Sequence, residues 1–356
     1  MKLLCVCPIG IGNYLMCYPA FYALKRRRPD MPMHMLALRQ GIAALAQGDP
    51  LWNGVETLDP DKMKGDIAGQ AAAVFRLRSA RFDACLNFFP SNTWQYHALP
   101  LLGGIRRRYG FRYERKRLSS LSFLGTDLVA VDPALHDVRQ NLRLAGFFLN
   151  EDLSSEPIVF PRQFGSEEER WAEDFLRPVA GGSRVIAIHP GSSAEHGMDA
   201  KRWPPERFAA LADRACRMLG AHAVIIGSGD ESAVKHAVKA SMREPSLEIE
   251  PVPLKKTAAL LSKCACCIAN DSGIMHMAAC LGVPTAGIFG PTDEKRNGPW
   301  GEKNLLIRKP MPGFPVWTAK NVGDRWLPPG MNPMASLNAL SAEEAWEQMR
   351  PWLEKI

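Results

Sequence analysis

The stretch CACCIANDSGIMHMAACLGVPTAGIFGPTD, Cys264–Asp293, contains a strand, a helix and a second strand. CACCIA is an apolar run of strand length, and it ends in the turn Asn270–Gly273. IMHMAACLG has the composition of a buried helix and is closed by Gly282. PTAGIFGPTD then returns as a strand that ends in a turn at Gly290, Pro291, Thr292 and Asp293. Two strands joined through one helix run parallel.

The same alternation extends in both directions. Upstream, RVIAIHPG (Arg184–Gly191) is a strand ending in a turn. PPERFAALADRACRMLG (Pro204–Gly220) is a helix with Pro near its start and Gly at its end. AHAVIIGSGDE runs from strand to Gly turn, and TAALLSK is a short helix. The N-terminal half opens with the strand KLLCVCP, followed by the helix YLMCYPAFYALKRRRP. MHMLAL (Met33–Leu38) and FDACLNF (Phe82–Phe88) are further strands, and DVRQNLRLAGFFL (Asp137–Leu149) is a helix. The polar, Pro-bearing stretch Asn150–Glu169 interrupts the pattern and marks a domain boundary. The final SAEEAWEQMRPWLEKI is a helix with Ser341 and Glu344 spaced as a capping box. The Pro- and Gly-rich segment from Arg308 to Ala339 reads as an ordered loop. The expected architecture is α/β, with a parallel sheet in each half: residues 1–160, 161–340, and a C-terminal helix 341–356 packing back toward the N-terminal domain. Two such domains facing each other hold ligands in a cleft at the carboxyl ends of their strands.

Composition narrows the function. The chain has 356 residues, 46% of them hydrophobic, enough for two domains with cores of their own. No apolar run reaches the roughly 20 residues of a membrane span. MKLLCVCPIGIG is broken too early for a signal peptide, so a cytoplasmic location is expected. The nine cysteines include the cluster Cys264, Cys266 and Cys267, whose spacing is wrong for a metal site. They read as small hydrophobes in a reducing compartment, and no metal is expected. The net charge of +7 is uneven. RRRYGFRYERKR (Arg106–Arg117) carries seven basic residues and one acid, and KRRRP (Lys25–Pro29) four more basic residues. These stretches are either solvated faces or a field for an anionic partner. No nucleic-acid module accompanies them. A phosphorylated small molecule or an anionic lipid surface would draw on the same field.

Three turns of the second half carry candidate chemistry. After His189, the residues Gly191, Ser192 and Ser193 can aim N–H groups and hydroxyls at an anion, with Lys201 adding charge. That set suits a diphosphate, and an ordinary loop is the competing reading. In IIGSGDES, Asp230 and Glu231 are either helix caps or acids for ribose hydroxyls. Asp271, Ser272 and Gly273 stand at a helix N-terminus, with His276 one turn in.

Taken together, HPGSS…KRWPPERFAALA, IIGSGDE, NDSGIMHMAACLGVPTAGIFGPTD and the opening PIGIGNYLMCYPAFYALKRRRP resemble glycosyltransferase family 9, the ADP-heptose:lipopolysaccharide heptosyltransferases. The resemblance spans Met1 to about Trp300. It implies two Rossmann-like domains of the glycosyltransferase B type and an inverting, metal-independent sugar transfer without a cofactor. The donor, ADP-heptose, would sit on the C-terminal half. There Ser192, Ser193 and Lys201 meet the diphosphate, Asp230 or Glu231 the ribose, and Asp271, Ser272, Gly273 and His276 line the site. The acceptor, an anionic inner-core saccharide on a lipid, would meet Gly12, Asn13, Arg106, Arg107, Arg108, Arg112 and Arg115. Peripheral contact with the cytoplasmic face of the inner membrane follows from the same reading.

One position departs from the family. Where its members carry an Asp taken as general base, this chain has Asn13, and an amide has no useful basicity. Three accounts stay open. Another group serves as base, with Glu195, His196, His97 and Glu114 as candidates by loop position. Or the chain binds the nucleotide-sugar but transfers poorly. Or Asn13 is a deliberate substitution that traps a complex. A nucleotide-sugar epimerase, a phosphorylase and a pure binding module share the architecture and remain alternatives.

Overall fold

A computed structural model describes residues 1–59, 65–113, 117–162, 164–179, 183–193, 195–318, 327 and 329–356, with the side chains of Arg117, Glu195 and His196 excepted. The described residues divide into two units, one of Met1–Phe160 with Thr318 and one of Pro161–Trp317 with the residues from 327 onward.

In the first unit, strands β1 (Leu3–Cys7), β2 (Met33–Ala37), β3 (Gly54–Thr57), β4 (Ala84–Asn87), β5 (Arg107–Arg112) and β6 (Asp127–Ala130) form one sheet in the order β3-β2-β1-β4-β5-β6. All its pairings are parallel. The strand order reverses between β1 and β4. In the second unit, β7 (Arg184–His189), β8 (Ala221–Ile225), β9 (Ser246–Glu248), β10 (Cys266–Asn270), β11 (Thr285–Ile288) and β12 (Leu305–Ile307) follow the order β12-β11-β10-β7-β8-β9. These pairings are parallel too, and the reversal falls between β7 and β10. Each unit is thus a doubly wound α/β sheet, and its switch point lies where such sheets open a crevice for ligands.

The central strands are continuous apolar runs because helices cover both faces. β1, LLCVC, and β10, CCIAN, are buried at every position. The cysteines act as the small hydrophobes expected of them, and burial pushes the Cys264 thiol up to about 12. The helix Ile11–Arg27 buries Tyr14, Leu15, Tyr18, Phe21 and Leu24, with the Phe21 ring edge-on to Trp52 and Phe88 at 4.9 and 4.7 Å. Its basic end is anchored rather than free. Arg26 pairs with Glu156 at 2.6 Å, and Arg27 with Glu156 at 2.9 Å and Glu151 at 2.8 Å. For the KRRRP stretch the structural reading therefore accounts for two of the arginines.

Three expectations are corrected. The charged stretch from Arg106 conceals a strand, β5, whose Tyr109 and Phe111 are buried while Arg107 and Arg112 are exposed. The segment read as a loop up to Ala339 contains the helix Ala335–Ala339, held because Leu337 packs over Gly290, where an added Cβ would meet it at 2.5 Å. The C-terminal helix Ala342–Leu353 buries Ala345, Met349 and Leu353 in the core of the second unit, with Trp203, Phe208 and Leu211. Its apolar face is taken up there. No helix among the described residues is long and apolar enough to cross a membrane.

Candidate active site

The turns singled out in the second half issue from one edge of the second sheet. His189 is in register with Ala269, Ile188 with Ile225, and Asn270 with Ile288. The residues following β7, β8, β10 and β11 therefore share the carboxyl edge, with β7 and β10 flanking the switch point.

Lys201 and Asp271 meet there. The Lys201 Nζ lies 2.7 Å from Asp271 Oδ2, with the lysine side chain 16% exposed and the aspartate 3%. The Asn297 side-chain amide donates to the other oxygen, Asp271 Oδ1, at 2.8 Å. Burial alone would raise the Asp271 pKa. The Lys201 charge and hydrogen bond outweigh it, and His276 adds to them, so the carboxyl is held below its ordinary value. Asp271 thus stays ionised and holds the Lys201 ammonium at the carboxyl edge of the sheet. Ser272 caps the helix Gly273–Cys280, accepting from the Met275 N–H at 3.3 Å, and His276 is buried one turn in.

The turn after β7 is ordered from within. Ser192 is buried and its hydroxyl donates to the Met198 carbonyl at 2.8 Å. Its own carbonyl accepts from the Arg202 guanidinium at 2.5 and 3.1 Å. In this structure Ser192 therefore shapes the loop that delivers Lys201, and Ser193 is the more exposed of the pair. Of the two acids after β8, Asp230 is exposed and Glu231 buried. Glu231 Oε2 accepts from the Ser228 N–H at 2.8 Å and the Ser228 hydroxyl at 3.1 Å. Its Oε1 lies 3.7 Å from His189 Nε2. A Cβ on Gly191 would stand 2.1 Å from that oxygen, so only glycine lets the two turns close together.

Sequence reasoning passed over two residues here. Asn270, fully buried, accepts from the Trp203 N–H at 3.2 Å and donates to the Pro190 carbonyl at 2.7 Å. It ties the β7 and β10 turns to the segment carrying Lys201. Asn297 orients Asp271 from beyond β11. A buried amide in a strand-end turn was a readable signal for Asn270, since such a group needs partners. Nothing in the local pattern points to Asn297.

In the first unit, Gly12 and Asn13 lie at the β1 switch point. The loop after β4 shares that sheet edge and holds Ser91, whose N–H donates to the Tyr113 hydroxyl at 2.8 Å, and the half-exposed Trp94. Asn13 Nδ2 donates to the Ile9 carbonyl at 2.5 Å. His97 is 1% exposed and bonded to the Ser91 carbonyl at 3.0 Å. Burial drives its pKa down to about 4. A neutral imidazole closed off from solvent is a core histidine, so His97 leaves the set of candidate bases. Glu114 and Arg115 lie outside the described residues, as do the side chains of Glu195 and His196.

The arginines divide. Arg107 pairs in register with Ala84, and Ala84 with Leu3 at the beginning of β1. Asn13 follows the end of that strand. Arg106, Arg107 and Arg108 are therefore on the opposite edge of the sheet from Asn13, roughly four residues or ~13 Å away along the strands. Arg108 is occupied by the carbonyls of Ile105 (2.6 Å), Arg106 (3.0 Å) and Leu124 (2.8 Å). Arg112, at the far end of β5 and exposed, shares the edge of Asn13.

Residues 72–318 match the family model of glycosyltransferase family 9 (heptosyltransferase). The chain belongs to that family. This glycosyltransferase is 25% identical over 327 residues to lipopolysaccharide heptosyltransferase 2 of Salmonella typhimurium, a match covering 86% of this chain and 88% of that one. Its fold is similar to that of Escherichia coli ADP-heptose lipopolysaccharide heptosyltransferase II, with TM-score 0.74, 20% identity, and coverage of 100% and 99% of the two chains. It is also similar to a family 9 glycosyltransferase from Veillonella parvula, with TM-score 0.79, 17% identity, and coverage of 100% and 98%. Both sheets of the transferase thus follow the glycosyltransferase B pattern expected from the sequence.

Proposed function

We propose that this transferase moves heptose from ADP-heptose to an anionic inner-core sugar of lipopolysaccharide, by an inverting route that needs neither metal nor cofactor. The observation that carries the reading is the crevice at the second switch point of a family 9 chain. Four turns, an ion-paired lysine and a helix N-terminus converge on one sheet edge, the right equipment for a nucleoside diphosphate leaving group. Lys201 is the cation for the diphosphate, and Asp271 holds it in place. Glu231 and Asp230 are the acids available to the ribose. Arg112 is the described arginine best placed for an anionic acceptor beside Asn13. A lipid-linked acceptor places the protein on the cytoplasmic face of the inner membrane by peripheral contact.

The test is ADP release from ADP-heptose, with and without a heptose-deficient lipopolysaccharide, in the presence and absence of EDTA. Release that requires the acceptor and ignores EDTA is expected, with the anomeric configuration of the product inverted by NMR. Donor turnover without acceptor would favour an epimerase-like activity. ADP binding without release would favour the second reading, a donor-binding paralogue, for which the amide at position 13 is the motivating observation.

A further inference from the structure

The turn that leads from β1 into the helix Ile11–Arg27 is gripped at a single residue, through the peptide groups on its two sides. The Ile9 N–H donates to the Tyr96 hydroxyl at 2.8 Å. The Ile9 carbonyl accepts from Asn13 Nδ2 at 2.5 Å. Tyr96 is buried on the helix Trp94–Leu102, and Asn13 is the third residue of its own helix. Gly10 between them has φ +112°, and a Cβ there would lie 3.3 Å from Asn13 Nδ2. Glycine therefore permits both the bend and the reach of the amide. Gly10 gives the helix no side-chain cap, and its first turn holds no acid, so the Asn13–Ile9 bond is what side chains contribute to this end of the helix.

A carboxylate cannot make this bond. It has no proton to donate, and its oxygen would face the Ile9 carbonyl oxygen. We propose that Asn13 is a positioning residue. Together with Tyr96 it clamps the two peptide groups flanking Ile9 and fixes the start of the helix at the first switch point, and the reaction of this chain takes no proton at position 13. The proposal rests on the transferase reading above for its kinetic consequence, and on the clamp alone for its structural one.

The ionisable groups on the surrounding elements include Cys5 and Cys7 on β1, Tyr14, Cys17 and Tyr18 on the helix itself, with Tyr22, Lys25, Arg26 and Arg27 toward its far end, Tyr96 and His97 on the helix Trp94–Leu102, Tyr113 after β5, Asp49 bonded to Tyr18, and Asp137, Arg139 and Arg143 on the helix that packs alongside. Burial raises Tyr14, Cys17 and Tyr96 and lowers His97, so none of these four changes charge between pH 5 and 8.

The deciding experiment is a pH profile of N13D beside the wild type, N13A and Y96F. At pH 8 N13D should turn over about tenfold more slowly or worse, with donor KM little changed, because the turn is misplaced rather than the donor site. The deficit should narrow as pH falls toward 5, because facing the Ile9 carbonyl raises the introduced carboxyl above its ordinary value of about 3.9, so that it gains a proton and can donate to Ile9. A general base would give the opposite sign. Y96F should lower kcat in the wild type but cost little more in N13A. N13D faster than wild type at pH 8 would overturn the proposal, as would an unchanged kcat in N13A and N13D. Thermal unfolding midpoints of the same variants across pH 5–8 read the clamp without turnover. The N13D deficit should shrink on acidification, and a pH-independent difference overturns the clamp. If the wild type releases no ADP from ADP-heptose, the donor reading fails while the unfolding series still decides the clamp.

Discussion

Asp271 shows how one residue can look ordinary in sequence and be constrained in space. An Asp before Ser-Gly at a helix start reads as a cap, yet Ser272 does the capping and Asp271 is left to hold Lys201. The pH consequence has a definite sign. Its carboxyl is depressed in the folded state relative to the unfolded value of about 3.9. The pair therefore contributes its full stability above that value and loses it as pH falls through the lower folded pKa. D271N should cost about 3 kcal/mol at pH 7, the low end for breaking a buried pair because Lys201 retains some solvent. The variant and the wild type should converge only as the carboxyl is protonated, well below its ordinary value, measured by urea unfolding at several pH values. A constant difference across that range would show that the charge is not what matters. The legibility of this site divides along the same line. Lys201 and Asp271 were each named as donor-site residues from their turns, but the bond between them was not foreseeable, because 70 residues of sequence separate partners that two adjacent strands bring to one edge.

Among the elements, β5 sorts by its direction the basic residues that composition lumps together. Its central residues Tyr109, Gly110 and Phe111 are buried in a row, with exposed Arg107 and Arg112 at its two ends, a short buried run that the density of charge obscured. Once the strand is paired in register, Arg106 and Arg107 fall on one edge of the sheet and Arg112 on the other. R112E should raise the KM for an anionic acceptor about tenfold or more while leaving donor KM unchanged. The double variant R106E/R107E should leave both within about twofold, since charges beyond a Debye length are largely screened at physiological salt. The reverse pattern in acceptor titrations would place the acceptor at the other edge. The motif KRWPPERF likewise changes meaning at this scale. Trp203 Nε1 and the Arg207 guanidinium both donate to the Leu340 carbonyl, at 3.0 and 2.7 Å. Much of that motif secures the segment before the final helix, while Lys201 pairs with Asp271 at the carboxyl edge.

For the whole molecule, the charge of +7 is not a single field. Arg26 and Arg27 are held by carboxylates and Arg108 by carbonyls, leaving a weaker, distributed attraction. Binding to anionic vesicles should exceed binding to neutral ones at low salt and fall steeply between about 50 and 200 mM salt. Co-sedimentation with equal binding to both lipids would remove the peripheral-contact proposal. By itself the sequence determined the fold class and the family, and it located the strand-end turns. Those follow from local rules: apolar runs, glycine turns, caps, and motifs in a fixed order. Only the tertiary structure decided which candidates share an edge, that His97 is sealed in the core, that the last helix closes the second unit, and that the amide of Asn13 grips Ile9. Each of these depends on strand register and on contacts between residues far apart in the chain. No local pattern encodes them, because burial and pairing are properties of the assembled sheet.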